Sequence, residues 1–214
     1  MRRFNSVVFD VDSTLSGVEG IDWLASLRGS EVETRIAEQT KQVMLGQIAL
    51  ETVYGQRLSA VKPRLSEVEE LGRVYIAKLA PTARQALHRL REEEVELAIV
   101  SGGLLQAILP LATVLGVEAS QVHAVSAVFD DRGEYLGFDE RSLLSRQNGK
   151  RETVARMILK SPILAVGDGM TDCEIRPAVA AFAAYTGFVR REPVVERADY
   201  VVENFDQLRE LVLG

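Results

Sequence analysis

Short apolar runs and longer amphipathic stretches alternate along most of this 214-residue chain. The run Phe4 to Phe9 reads as a buried strand that stops at Asp10. Four helices are predicted next: about 19–28, Ser30 to Met44, Ala49 to Val61, and a fourth ending near Lys78. Their apolar residues recur at three- and four-residue spacing, as one buried helix face requires. Ser30 with Glu33, and Ser66 with Glu69, have the spacing of capping boxes.

Beyond Pro81 the pattern changes. A helix from about Thr82 to Glu94 precedes the strand VELAIV, which ends at Ser101. The segment GGLLQAILPLATVLG reads as a helix carrying Pro110. VHAVSAVFD and EYLGFD flank Asp131-Arg132-Gly133, a predicted hairpin turn. A helix starts near Gly149, PILAVGD is a strand ending at Asp168, AAFAAY and ADYVV are two more strands, and FDQLRELVL is a closing helix. Helices alternating with apolar strands define an α/β protein with a parallel sheet covered on both faces. The block 16–79 interrupts that alternation just after the first strand. It is expected to be an inserted helical cap on a core made of 1–15 and 80–214.

Composition narrows the class of function. The chain is 47% hydrophobic and 26% charged with a net charge of −6, as in an ordinary globular protein, and no basic block suits nucleic acid. A single cysteine, Cys173, excludes an internal disulfide and fits a reducing compartment. The apolar run at the N-terminus is too short for a signal peptide, and no stretch is long enough to span a membrane. A cytoplasmic location is therefore expected. With only nine residues before Asp10, no separate amino-acid-sensing domain is expected there.

Three polar clusters follow three predicted strands: Asp10-Val11-Asp12-Ser13-Thr14, Ser101-Gly102-Gly103, and Gly167-Asp168-Gly169. Ligands in open parallel sheets bind outside the carboxyl ends of the strands, so clusters far apart in sequence are expected to meet in one crevice. Asp10 and Asp12 offer two carboxylates, one able to attack while the other handles protons. The alternative is an Asp-rich turn. A calcium loop is excluded, because Leu15 stands where its glycine belongs and Ile21 where its glutamate belongs. Ser101-Gly102-Gly103 is either a phosphate-binding turn or a plain loop. Lys150, taken alone, is either a solvated charge or an anion ligand. Asp168 and Asp172, in a glycine-rich loop, are hard oxygen ligands suited to Mg²⁺. His88, His123, Cys173 and Trp23 lack partners at useful spacing and are read as structural.

Together, Asp10 to Thr14 (D-x-D-x-T), Ser101, Lys150, and Gly167 to Asp172 (G-D-G-x-x-D) resemble the haloacid dehalogenase-like superfamily of phosphotransferases. Within it, FDVDSTL, EGIDWLA, MLGQIALETVYGQRL, NGK and GDGMTD resemble the phosphoserine phosphatase family. The resemblance implies a Rossmann-like core, Mg²⁺ dependence, a small phosphorylated metabolite as substrate, most simply O-phosphoserine, and a part in serine biosynthesis. It also implies roles. Asp10 is the nucleophile and Asp12 the general acid and base. Asp10, Asp168 and the backbone carbonyl of Asp12 hold the metal, supported by Asp172. Ser101, Gly102 and Lys150 bind the phosphoryl group. Glu19 meets the substrate ammonium and Arg57 its carboxylate, with Met44 and Thr171 beside the substrate. Leu50 stands where many members have an aromatic residue, and Thr171 where some have Asn. Arg191 falls loosely in register with a further substrate-side arginine. Other readings are a phosphatase or phosphotransferase for a different small metabolite, or a non-catalytic metabolite-binding module on the same fold.

Overall fold

The computed structural model describes residues 2–214. In chain order, β1 (Ser6–Phe9) is followed by four helices: α1 (Gly20–Ser26), α2 (Ser30–Met44), α3 (Leu50–Val61) and α4 (Leu65–Ala77). Next come α5 (Ala83–Glu92), β2 (Glu96–Leu104), α6 (Leu105–Leu115) and β3 (Val122–Val125). A hairpin of β4 (Ala127–Phe129) and β5 (Tyr135–Phe138) precedes α7 (Gly149–Arg156) and β6 (Ile163–Gly167). The chain closes with α8 (Met170–Cys173), β7 (Ala181–Tyr185), α9 (Glu192–Val195), β8 (Tyr200–Val202) and α10 (Phe205–Leu213).

Six strands form one parallel sheet in the order β3-β2-β1-β6-β7-β8. Its central strands are apolar without alternation. SVVF in β1 and AFAAY in β7 are buried at every position, as strands covered on both faces must be. The order reverses between β1 and β6, which pair from Ser6 with Ile163 to Phe9 with Val166. Their carboxyl ends therefore form the crevice of a doubly wound sheet, and the next residues on the two strands are Asp10 and Asp168. On the core side, Phe205 of α10 is fully buried, stacked on Phe9 and packed against Tyr185.

The helices α1 to α4 leave and rejoin the sheet at one place. Ser16 bridges Leu79, the Gly17 N–H donates to the Lys78 carbonyl at 2.9 Å, and the Ala80 N–H donates to the Leu15 carbonyl at 2.9 Å. At the far side, the hairpin tip reaches the start of α4. The Leu65 N–H donates to the Gly133 carbonyl at 2.9 Å, and Arg64 pairs with Glu134. The hairpin turn lies where expected, with Gly133 at φ +77° and Asp130 accepting from the Arg132 and Glu134 N–H groups.

Four local expectations are corrected. Neither predicted capping box forms. Gly29, at a φ of +91° that favours glycine, takes the N-cap of α2 and makes Ser30 its first helical residue. α4 starts two residues earlier than the Ser66 box requires, with Arg64 at its N-cap. Glu67 accepts from the Arg64 N–H at 2.8 Å and is gripped by Arg28 from the turn after α1. The run VHAVSAVFD is two elements, because VHAV is an edge strand of the main sheet and pairing with β5 starts only at Ala127. No Gly, Pro or Asn marks that switch, where the sequence has only Ser126. Finally, Ser101-Gly102-Gly103 does not follow β2 but forms its irregular end, where pairing with β3 shifts register between Val100 and Leu104. The short helices α8 and α9 had no periodic signal. Among the described residues no helix is long and apolar enough to cross a membrane.

The burial of Phe205 gives a stability prediction. Phe205→Ala should lower the unfolding free energy by about 3–5 kcal/mol, the cost of emptying a fully buried aromatic site. Urea unfolding followed by circular dichroism measures it, and a loss below about 1 kcal/mol would contradict the packing described.

Candidate active site

Asp10 and Lys150 are the centre of the crevice. Lys150 is buried and its Nζ lies 2.8 Å from Asp10 Oδ2 and 2.6 Å from Asp172 Oδ1. Two local features aim it there. Asn148 turns the chain at φ +59°, and a Cβ on Gly149 would stand 1.7 Å from the Leu143 carbonyl oxygen, so only glycine lets α7 start this close. Asp172 is placed by its own glycines. Its Oδ2 accepts from the Gly169 N–H at 2.9 Å, and its carboxyl group fills the space a side chain on Gly167 would need. Asp168 accepts from Thr14 Oγ1 at 3.0 Å and pairs with Arg191. The last residue of D-x-D-x-T thus anchors the carboxylate of G-D-G-x-x-D across the strand switch.

Asp12 points the other way, into the space under the helices. Its Oδ1 accepts from the Tyr75 hydroxyl at 2.5 Å and its Oδ2 from the Gly20 N–H at 3.2 Å. Glu19 accepts from Ser13 Oγ at 2.7 Å and faces Arg191 at 3.4 Å. Arg57, buried on α3, donates to Thr40 Oγ1 at 3.1 Å, and that hydroxyl donates to Asp22 Oδ1 at 2.6 Å. Met44, Leu50, Thr171, Ser101 and Gly102 complete the wall of a cavity of about 70 Å³ that also touches Asp10, Asp12, Glu19, Arg57 and Lys150. Every residue singled out in the sequence as catalytic or substrate-binding therefore borders one cavity. Glu19 and Arg57, whose ordinary fate as helix-region charges would be exposure, are not solvated.

The electrostatics are those of a site with too little positive charge. Burial, then the Glu19 and Asp10 carboxylates, raise the Asp12 carboxyl well above the usual range, against the bonds from Tyr75 and Gly20. Burial lifts Glu19 to about 7 despite Ser13 and Arg191. Burial and Asp10 lift Asp172 to about 6, with Lys150 opposing. Burial alone would lower Lys150, but Asp10 and Asp172 outweigh it and hold the ammonium charged. Asp10, Asp168 and Asp172 each present an oxygen, all within 4.8 Å of one another. Three hard oxygens around a buried carboxylate oxygen without a partner fit a small divalent cation. Asp12's carboxylate is outside this group.

Among the described residues, three buried side-chain polar atoms have no hydrogen-bond partner: Asp10 Oδ1, Glu19 Oε2 and Arg57 Nε. All three residues border the cavity. Such atoms are costly unless something completes them.

Three residues were not picked out in the sequence: Tyr75, Tyr54 and Thr14 as the support of Asp168. Tyr75 had a signal. It continues the apolar stripe of Val68 and Leu71 at helical spacing, and a buried tyrosine hydroxyl must find a partner. Arg191, loosely placed from sequence, links Asp168 to Glu19. His88 is exposed on α5, His123 is half-buried in β3, and Trp23 packs against the core, all outside the cavity wall.

A doubly wound α/β sheet that gathers buried acids and one buried lysine at its strand switch makes a site suited to an anionic ligand and a metal. Residues 4–175 match the family model for haloacid dehalogenase-like hydrolases, and the chain belongs to that family. It is 36% identical over 212 residues to the chloroplastic phosphoserine phosphatase of Arabidopsis thaliana, covering 97% of this chain and 71% of the plant protein. It is 34% identical over 207 residues to the phosphoserine phosphatase of Bos taurus, covering 95% and 91%. A solved structure described as a substrate-bound phosphoserine phosphatase complex superposes with a TM-score of 0.81 at 25% identity, over 99% of this chain and 98% of that one. These relatives support a metal-dependent phosphatase acting on a small phosphorylated substrate, as the motifs had implied.

The Glu19 carboxyl gives a pH-dependent prediction. Its acidity is weaker in the folded chain than in the unfolded one, so the folded state holds the proton more tightly. The resulting stabilisation is complete below the unfolded value near 4.5 and is lost as pH rises through about 7. Glu19→Gln should therefore gain thermal stability relative to wild type between pH 4.5 and 7.5, measured in chelator. A difference in Tm that does not change with pH would contradict the burial of this charge.

Proposed function

We propose that this enzyme hydrolyses O-phosphoserine to serine and phosphate through an aspartyl-phosphate on Asp10, with Mg²⁺ as its metal. The observation that carries the reading is the set of three buried atoms without partners. Phosphoserine has three charged handles. Its ammonium meets Glu19 Oε2 and its carboxylate meets Arg57 Nε, while its phosphorus faces Asp10, whose unpartnered Oδ1 is left to the metal. A planar guanidinium suits a carboxylate because it donates two parallel hydrogen bonds. Opposite charge away from water suits Glu19 to an ammonium. The printed names of the relatives point to the same substrate.

In this scheme residues 16–79 act as a cap on a catalytic core of 1–15 and 80–214, and the paired crossings at Ser16 and Leu79 support that division. Ser101, Gly102 and Lys150 receive the phosphoryl oxygens. The carboxylates of Asp10 and Asp168 and the backbone carbonyl of Asp12 hold the metal, and Asp172 supports the site while fixing Lys150. A bound Mg²⁺ supplies positive charge against the repulsion between carboxylate and phosphate. Asp10 attacks phosphorus and the bond to the serine oxygen breaks. Asp12, whose carboxyl holds its proton more tightly than an ordinary one, gives that proton to the serine oxygen. As a carboxylate it then takes a proton from water, which hydrolyses the aspartyl-phosphate and frees Asp10. Met44, Leu50 and Thr171 shape the wall. Leu50, in place of an aromatic residue, leaves a different wall beside the substrate.

Two predictions test this reading. Chelator-treated enzyme should be inactive and recover with Mg²⁺ but poorly with Ca²⁺, and Asp10→Asn should cut turnover by at least roughly 10⁴-fold. Full activity in excess chelator, or near-native Asp10→Asn, would overturn the mechanism. For the substrate, Arg57→Ala and Glu19→Ala should each cost about 2–4 kcal/mol in kcat/KM for phosphoserine, with little effect on an aryl phosphate. If wild type does not prefer phosphoserine to phosphoethanolamine and phosphoglycolate, the substrate assignment fails and the phosphatase assignment stands.

A further inference from the structure

Tyr54 has no part in the scheme above, yet it is buried and fully engaged. It lies on α3 three residues before Arg57, so the two side chains share one helix face. Its hydroxyl donates to the Gly102 carbonyl at 2.7 Å. Its ring meets Phe138 of β5 edge-on, with centroids 5.2 Å apart. The Arg57 guanidinium stands 6.0 Å from the ring centroid.

The target of that hydroxyl matters. The peptide unit joining Gly102 to Gly103 lies where β2 loses register with β3, so the sheet ladder does not hold it. Two glycines in succession add no side chain to fix it. Two contacts hold it instead. Tyr54 binds its carbonyl, and Ser101 Oγ accepts from its N–H at 3.1 Å. A serine oxygen that accepts from backbone keeps its own hydrogen free for another acceptor. Tyr54 thus fixes the peptide that leaves the Ser101 hydroxyl free to donate toward the cavity. On its other side the same ring lies against Arg57, whose Nε is without a partner.

We propose that Tyr54 is a positioning residue coupling the two ends of the substrate pocket: its hydroxyl sets the Ser101-Gly102-Gly103 turn for the phosphoryl group, and its ring seats Arg57 for the substrate carboxylate. Phe138 meets the ring edge-on, and the hairpin that carries it is tied to the start of α4 through Gly133 and Glu134. The Arg57 arm rests on the phosphoserine reading. The phosphate arm rests only on phosphatase activity.

The test compares Tyr54→Phe, which removes one oxygen, with Tyr54→Leu, which also removes the ring. Both are assayed on phosphoserine and p-nitrophenyl phosphate, with inorganic phosphate as competitive inhibitor and Tm measured alongside. Tyr54→Phe should lower kcat/KM about 3- to 10-fold on both substrates and weaken phosphate inhibition by a similar factor, the scale of one net hydrogen bond. Tyr54→Leu should lose a further factor on phosphoserine alone, and that extra loss should vanish in an Arg57→Ala background. Wild-type kinetics in Tyr54→Phe, with or without a fall in Tm, would overturn the phosphate arm. An unchanged phosphoserine to p-nitrophenyl phosphate ratio in Tyr54→Leu, or in Tyr54→Met should the leucine variant not fold, would overturn the Arg57 arm. If wild type shows no preference for phosphoserine, the substrate reading has failed instead, and p-nitrophenyl phosphate still decides the phosphate arm.

Discussion

Lys150 between Asp10 and Asp172 is the contact on which the rest of the site depends. Two carboxylates this close and this deeply buried repel each other. One ammonium, held charged by both, lets them stay together. Its placement takes much of the local sequence: the left-handed Asn148, the side-chain-free Gly149, and the glycines that let Asp172 fold back under β6. An exposed lysine at this position would leave the acids to protonate or move apart. The geometry of the crevice is thus set by a charge constraint before any substrate is considered.

The same constraint explains why the site joins two kinds of structure. The sheet supplies Asp10 and Asp168 at its switch point and leaves a local excess of negative charge. The helices over it supply Arg57 and the Tyr75 hydroxyl, while Glu19, in the lead-in to α1, supplies one acid more. Arg57 on the helix side therefore shares the cavity with acids from both sides. That arrangement favours a ligand with charges of both signs over a simple anion.

The sheet, the inserted helices and the three-motif crevice were legible in the sequence because they rest on periodicity and on polar residues at strand ends. SVVF, ILAVG and AFAAY are short, apolar and bounded, and a parallel sheet follows from them. Helix starts were read less well. The caps of α2 and α4 are decided by a positive φ at Gly29 and by a contact from the distant Arg28, neither of which local spacing encodes. The break at Ser126 was hidden because a strand of one sheet runs directly into a strand of another. In the site, residues carried by motifs were found, whereas Thr14's grip on Asp168 and Tyr54's on Gly102 span 154 and 48 positions and leave no mark nearby.

The paired crossing at Ser16 and Leu79 has a consequence for how such a protein can change. Because the inserted segment enters and leaves through two adjacent backbone strands, its length and content are decoupled from the sheet's strand order. Asp10, Lys150 and Asp168 lie outside residues 17–78, on supports of their own. That crossing is not the whole of the join, since Gly20 and Tyr75 hold Asp12 and Tyr54 holds the Gly102 carbonyl, so a change in the segment is felt at the chemistry below it.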